Sequence, residues 1–188
     1  MLCSQCPVGH VYSFEPSPVS AAFLRKNIDL NGIKNCTVVQ SGVGIKTGEA
    51  ILSPVGASAQ IVGPAHPNRE VWNDVKIPVL SIDEYVRSIG IQRLDFIKID
   101  IEGYEPMALA GARATIAAFS PPIFMEFNSW CLYFAHRFDP LNFAQSLWHT
   151  FEVMSVNADG TLSPCATAIR LLSYTITWCV MVASMTYC

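Results

Sequence analysis

Short apolar runs alternate with amphipathic segments along most of the chain, which predicts β-strands alternating with α-helices. The apolar runs are rich in β-branched and aromatic residues, as strands are. They cover residues 10–15, 36–40, 49–53, 75–80, 94–100, 122–127 and 151–156. The helices are predicted from Ser-Pro and Asp-Pro pairs and from a capping box at Ser81–Glu84. They cover 18–30, a short segment after Ser81, 106–119 and 140–149. This order predicts an α/β domain with a largely parallel sheet.

Two stretches have no regular pattern. Residues 54–73 are rich in Gly, Pro, Ala and Asn, which predicts a long surface loop. Residues 171–188 carry no Asp, Glu, Lys or Arg. Their interspersed Ser and Thr favour a final strand with an irregular tail over a membrane span. The prediction is therefore one domain over residues 1–160, followed by an apolar C-terminal tail over 161–188.

Composition narrows the class of protein. The chain has 188 residues, of which 51% are hydrophobic and 14% charged, and this excludes a disordered protein. Its 12 Lys and Arg against 15 Asp and Glu argue against a nucleic-acid partner. The seven cysteines have irregular spacing, and no secretory signal precedes them, so a cytoplasmic protein is predicted. Cys3 and Cys6 form a C-x-x-C pair, but no second pair completes a zinc site.

Acidic residues end three of the predicted strands, at Glu15, Asp100 and Glu126. In an open parallel sheet, ligands bind beyond the carboxyl ends of the strands. An acid in the place of Glu15 can accept both hydroxyls of an adenosine ribose. The alternative is that Glu15 caps the helix that follows it.

The segment after the fifth predicted strand carries the densest acidic pattern. Asp100 and Glu102 are bracketed by apolar residues, and Gly103 permits a ligand to approach the backbone. We therefore expect Asp100 and Glu102 to face a ligand, the alternative being solvated surface charge. Glu126 and Asn128 end the neighbouring strand, so these side chains are expected to converge.

Five blocks of sequence, in a consistent order over residues 10–156, resemble the FkbM-type methyltransferases. They are V-Y-S-F-E-P-S-P (11–18), K-N-I-D-L-N-G-I-K-N (26–35), I-P-V-L-S-I-D-E (77–84), D-F-I-K-I-D-I-E-G-Y-E (95–105) and P-P-I-F-M-E-F (121–127). The resemblance implies a Rossmann-like class I methyltransferase fold that uses S-adenosyl-L-methionine. It also implies methyl transfer to a hydroxyl of a carbohydrate or another small molecule.

The resemblance also assigns roles to individual positions. Asp100 and Glu102 would be the catalytic residues, with a carboxylate acting as general base. The predicted site is metal-free; the alternative is magnesium held by Asp100, Glu126 and Asn128. Aromatic residues between Trp130 and Phe138 either stack on a sugar acceptor or pack in the core. The cofactor-binding positions would be Glu15, Ser41, Gly42, Val43 and Asp100.

The chain departs from the family pattern at its start. The family has a strand and a glycine-rich loop of the V-D-x-G-A-x-x-G kind before the V-Y-S-F-E block, and only nine residues precede the match here. We therefore expect a sheet without its first, central strand, in which the two flanking strands, 11–15 and 94–100, pair directly or the apolar tail fills the gap. The alternative is that a fused or neighbouring domain supplies the missing strand. The alternative function is that of a non-catalytic fragment or pseudoenzyme binding module. A dinucleotide-dependent oxidoreductase is disfavoured because the sequence has no G-x-G-x-x-G.

Overall fold

The computed structural model describes residues 2–55, 58–62, 75–165 and 176–183. The chain forms two compact units, Met1–Leu80 and Ser81–Cys188. Both contain helices and strands, so the predicted mixed α/β class is confirmed.

The first unit contains a parallel strand pair and a small mixed sheet. β1 pairs with β2 in parallel, and the second sheet has the order β3-β6-β4-β5. Leu52, Ile77 and Val79 form the buried cluster of that sheet. The elements of this unit are α1 (Leu2–Gln5), β1 (Val11–Phe14), α2 (Pro18–Leu30), β2 (Cys36–Val39), β3 (Gly42–Val43), β4 (Gly48–Val55), β5 (Ser58–Val62) and β6 (Val75–Leu80).

Helix α2 has the predicted bounds because its start is fully encoded locally. Ser17 is the N-cap and its side chain accepts the N–H of Ser20, while Pro18 occupies the first helical position. Asn31 ends the helix, and Gly32 follows with a φ of +61°.

The predicted surface loop over residues 54–73 is wrong for its described part. β4 continues to Val55, and β5 returns antiparallel beside it. Leu52 is opposite Ile61 in this hairpin, and Ile61 packs on the buried cluster to which Leu52 belongs. Residues 56–57 and 63–74 lie outside the described residues.

The second unit is a five-stranded sheet with the order β10-β9-β11-β8-β7. β7 and β8 are parallel, and β11 runs antiparallel between β8 and β9. The elements are α3 (Ile82–Ser88), β7 (Ile97–Ile99), α4 (Glu105–Ala110), α5 (Arg113–Phe119), β8 (Ile123–Asn128), a π-helix (Cys131–Ala135), α6 (Pro140–Thr150), β9 (Phe151–Val156), β10 (Leu162–Pro164) and β11 (Ile176–Ala183).

One face of this sheet makes the core. Alternate residues of β8, namely Ile123, Met125 and Phe127, are fully buried there. They belong to one apolar cluster with residues of α4, α5 and α6, so these helices cover that face. The opposite face carries Lys98 of β7 and Phe124 and Glu126 of β8, and the candidate site lies at the carboxyl ends of these two strands.

Two predictions for the start of this unit are wrong. Ser81 makes no side-chain cap on α3, because its hydroxyl donates to the carbonyl oxygen of Gly111 at 2.9 Å. The single helix predicted over 106–119 is two helices, with a break at Gly111 and Ala112. The carboxylate of Asp83 accepts the N–H groups of Ala114 and Thr115, which starts α5 as a separate helix.

The sheets are mixed, so the predicted largely parallel sheet is also corrected. Among the described strands three pairings are parallel and five antiparallel. One reason is that only two residues separate β4 from β5 and only five separate β9 from β10, which is too few for the helical crossover that joins parallel strands. The predicted final strand is present as β11. No helix within the described ranges is long and apolar enough to span a membrane.

Two strands keep an unpaired edge. Within the described part of the chain, β1 pairs only with β2, and β7 pairs only with β8. The expected direct pairing of these two strands is wrong for the described strands, and the described part of the tail does not fill the gap between them, because β11 pairs with β8 and β9 instead. The free edges of β1 and β7 can each accept a further strand. The supply of such a strand by a fused or neighbouring domain stays a prediction.

Candidate functional site

The acidic residues of the second unit lie where β7 and β8 end. The two strands are parallel and in register, with Lys98 beside Phe124, so their carboxyl ends share one edge of the sheet. Asp100 follows β7 directly, and its Oδ2 lies 2.8 Å from the Nζ of Lys98. Lys98 also sits 5.1 Å above the ring of Trp178. These contacts fix a positive charge next to the first acid of the cluster.

Glu126, on β8, interacts electrostatically with the acids that follow β7. Burial raises the pKa of its carboxyl, and the negative charges of Asp100 and Glu102 raise it further. Hydrogen bonding to Asn128 and the charge of Lys98 act in the opposite direction. A carboxyl whose pKa is raised in this way is a candidate for proton transfer.

The segment after Asp100 turns through two left-handed residues, Glu102 with a φ of +58° and Gly103 with a φ of +91°. Only glycine fits at 103, because a Cβ there would lie 2.6 Å from the carbonyl carbon of Cys131. Glu102 is thereby brought to the π-helix. Its Oε2 lies 3.5 Å from the Sγ of Cys131, and its carbonyl oxygen lies 3.0 Å from the Nε2 of His136.

Glu105 is fully buried beneath this turn, with 0% of its surface exposed. Its Oε1 accepts the N–H of Ile101 at 3.1 Å and that of Gly103 at 3.3 Å. Burial raises the pKa of this carboxyl to about 7, and the charge of Glu126 adds to the rise. The sequence analysis assigned no role to Glu105. The signal that could have found it is an acid at the start of a helix, directly before Pro106 and two residues after Gly103.

Aromatic side chains border the acids on the π-helix and the turn before it. Trp130, Tyr133 and Phe134 are each about half exposed. The ring of Phe134 lies 5.3 Å from that of Trp130 and 5.1 Å from that of Tyr133. The alternative prediction that these rings pack in the core is therefore wrong for these three. Trp130, Tyr133 and Phe134 form an exposed surface that we call the aromatic patch.

Glu15 lies in the first unit, directly after β1. Its Oε1 accepts the N–H of Ser17 at 2.8 Å, which is the helix-capping contact expected as the alternative to a ligand role. Its Oε2 has no hydrogen bond to any described residue. The capping contact therefore leaves one carboxylate oxygen available to a ligand.

The three other predicted cofactor positions of this unit are packed in the sheet. Ser41 is buried, and its hydroxyl lies 3.0 Å from the carbonyl oxygen of Pro78 and 2.9 Å from that of Gly42. A Cβ on Gly42 would lie 2.9 Å from the Cδ1 of Ile61. Val43, which pairs with Leu80, is partly exposed. A ligand at this strand would therefore meet Val43 or the backbone, since the hydroxyl of Ser41 is already engaged.

A metal centre gains no support from the residues that the structure describes. Among them, no three His, Cys, Asp or Glu side chains are placed to hold a metal ion. In the alternative magnesium set, the Oδ1 of Asn128 already accepts the N–H of Cys131 at 3.0 Å.

Comparison with known proteins identifies the family. The methyltransferase FkbM domain matches residues 5–153, so the chain belongs to the FkbM methyltransferase family and the resemblance is confirmed. The crystal structure of methyltransferase FkbM from Methylobacillus flagellatus KT is similar, with a TM-score of 0.52 and 20% sequence identity. The match covers 96% of this chain and 40% of that one, so this chain spans less than half the length of its relative. This likeness shows the fold. No curated protein matches the sequence.

Proposed function

We propose that the chain is an S-adenosyl-L-methionine-dependent O-methyltransferase acting on a hydroxyl of a carbohydrate or another small molecule. Family membership over residues 5–153 supports the reaction class. The observation that carries the proposal is the placement of Asp100 directly after β7 and of Glu126 on the adjacent parallel strand β8, at the same edge of the sheet. Such an edge is where open α/β sheets bind their ligands. The charges of Asp100 and Glu102 raise the pKa of the Glu126 carboxyl, so the three acids interact electrostatically.

Asp100 and Glu102 are the proposed catalytic residues. The Oε2 of Glu102 contacts Cys131, whereas its Oε1 has no hydrogen bond to a described residue and can accept the proton of an acceptor hydroxyl. Asp100 is held by Lys98, which fixes its direction. The reaction is an in-line displacement, so orientation of the acceptor supplies much of the rate.

Glu15 gives the clearest fit to the cofactor in the first unit. Its half-buried carboxylate follows a parallel strand and keeps Oε2 available, as acceptance of a ribose hydroxyl requires. Val43 and the backbone of Ser41 and Gly42 would contact the adenine. S-adenosyl-L-methionine, when bound, supplies an electrophilic methyl group on its sulfonium sulfur.

The aromatic patch supports a sugar-like acceptor. Exposed aromatic rings grouped on a surface commonly bind ligands, and their faces stack on apolar faces of sugar rings. Trp130 and Phe134 lie in the same segment as Cys131 and His136, whose side chains contact Glu102. An acceptor stacked there would be close to a carboxylate.

The test is transfer of tritium from S-adenosyl-[methyl-³H]methionine to a panel of mono- and oligosaccharides and small alcohols. We expect Asp100→Asn and Glu102→Gln each to reduce transfer by about 10²-fold or more, the usual contribution of a general base. Asp95→Asn and Glu152→Gln, exposed acids away from the cluster, are the matched controls and should retain activity. Transfer that survives both cluster substitutions contradicts the assigned roles. Binding of the cofactor without transfer to any acceptor would favour the binding-module alternative.

A further inference from the structure

We propose that Glu105 is a positioning residue, which holds the turn Ile101–Gly103 through two backbone N–H groups and so fixes the direction in which Glu102 is presented. The inference rests on the proposed function for what Glu102 does once it is held. The contact itself is independent of that function.

The geometry of Glu105 is unusual for a residue at the start of a helix. Its side chain folds back and accepts the N–H groups of residues four and two positions earlier, Ile101 and Gly103, with one oxygen. The other oxygen, Oε2, is buried and has no hydrogen-bond partner within the described part of the chain. A buried carboxyl group with an unsatisfied oxygen is costly, so it requires an explanation beyond packing.

The turn that Glu105 holds requires support. Glu102 has a positive φ, which a residue with a Cβ adopts only when its surroundings enforce it. Support comes from two sides. Glu105 binds the amides from below, and the π-helix contacts the turn through Cys131 and His136. Releasing Glu105 would leave Glu102 attached on one side only.

The surroundings of Glu105 make its state observable. The titratable groups that face it are Glu126 on β8, Cys131 on the π-helix and Cys179 on β11. Burial raises the pKa of both thiols to about 12, so they remain neutral while the pKa of Glu105 lies at about 7. The amides of Ile101 and Gly103 should therefore report the titration of Glu105 directly.

The experiment is a set of ¹H–¹⁵N spectra and amide-exchange measurements between pH 5 and 9. It uses the full chain and the variants Glu105→Gln and Glu105→Leu, with Glu84→Gln as an exposed control. In the wild type and in Glu84→Gln, the Ile101 and Gly103 resonances should titrate together with a midpoint near pH 7. Glu105→Gln should abolish that titration and keep both amides protected, because its amide oxygen still accepts. Glu105→Leu should lower their protection at least tenfold and leave the amides of β8 unchanged.

Activity provides the second readout and separates the two proposals. We expect Glu105→Leu to lower methyl transfer at least tenfold and Glu105→Gln to restore most of it. If Glu105→Leu fails to fold, the inference is tested by comparing the pH titration of the Ile101 and Gly103 amides in the wild type with that in Glu105→Gln. Amides that do not titrate, or that titrate equally in Glu105→Gln, overturn the inference, and so does full activity in a folded Glu105→Leu. A chain that shows the amide titration but transfers no methyl group to any acceptor refutes the proposed function and the catalytic role of Glu102. In that case the contact between Glu105 and the amides of Ile101 and Gly103 is still confirmed.

Discussion

Gly103 lies against the backbone of Cys131 so closely that a Cβ at 103 would be 2.6 Å from its carbonyl carbon. The same atom would lie 2.8 Å from the backbone nitrogen of Leu132. Backbone atoms cannot move aside as a flexible side chain can. This contact fixes the distance between the acidic turn and the π-helix, and with it the place of Glu102.

Replacing Gly103 with alanine should therefore lower the free energy of unfolding by more than the cost of placing alanine at a positive φ, because the new Cβ would also clash with the backbone of Cys131. A left-handed non-glycine residue costs about 1–2 kcal/mol, and overpacking adds about 1–3 kcal/mol. Gly90→Ala is the matched control, since Gly90 has a φ of +68° but a Cβ there would meet no heavy atom within 4 Å. Urea denaturation should show a loss for Gly103→Ala at least about 1 kcal/mol greater than for Gly90→Ala. Equal losses would mean that the backbone contact is not formed.

Glu105 should make stability depend on pH. Its carboxyl loses its proton near pH 4.5 in the unfolded chain and near pH 7 in the folded one. Between these values the folded state binds more protons, so the free energy of unfolding falls as pH rises, by about 3 kcal/mol in all, and the loss is complete above pH 7. Relative to Glu105→Gln, the wild type should lose stability across this window in urea titrations. Parallel pH profiles of the two proteins would contradict the buried carboxyl group.

Asp83 should contribute more to the free energy of unfolding than an ordinary surface acid does, because its two carboxylate oxygens accept the N–H groups of Ala114 and Thr115. Asp83→Ala should cost about 1–2 kcal/mol of unfolding free energy, as lost helix caps do. Asp95→Ala, which removes an exposed ion pair with Arg93, should cost less than about 1 kcal/mol. Thermal denaturation of the two variants tests this order, and the reverse order would refute the capping role.

Lys98 should affect the charge of Glu126 more than the stability of the fold. Its charge lowers the pKa of Glu126, so Lys98→Met should raise that pKa further, as followed by ¹³C NMR of the Glu126 carboxyl. Its ion pair with Asp100 is about one-third exposed on each side, so the loss of stability should stay below about 1 kcal/mol. Arg93→Met is the control and should leave Glu126 unchanged. An unchanged pKa in Lys98→Met would place Lys98 outside the cluster.

The sequence predicts the elements whose signals are local. Helix α2 and strands β6 and β9 have the predicted bounds, because caps, proline and apolar runs act over a few residues. The β4–β5 hairpin could not be predicted, since it depends on cross-strand pairs such as Leu52–Ile61. The capping box failed for the same reason, because the hydroxyl of Ser81 binds a carbonyl 30 residues away.

In the candidate site too, some features can be predicted from the sequence and others depend on the path of the folded chain. Acids at strand ends are visible in the sequence, and the structure places Asp100 after β7 and Glu126 on the adjacent parallel strand, where the charges of Asp100 and Glu102 raise the pKa of the Glu126 carboxyl. The burial of Glu105 is not visible, because it follows from the path of the chain through Glu102 and Gly103. The engaged hydroxyl of Ser41 was equally hidden, since its partner is the carbonyl oxygen of Pro78 on another strand.

The most direct test of the proposed function is calorimetric titration of the chain with S-adenosylhomocysteine, the product form of the cofactor. We expect saturable binding that weakens at least about tenfold in Glu15→Ala, because the variant loses charge-assisted hydrogen bonds to the ribose. Glu49→Ala, which removes an exposed acid of the same unit, should bind as the wild type does. A folded chain that binds no S-adenosylhomocysteine, or that binds it equally well with and without Glu15, would contradict the account.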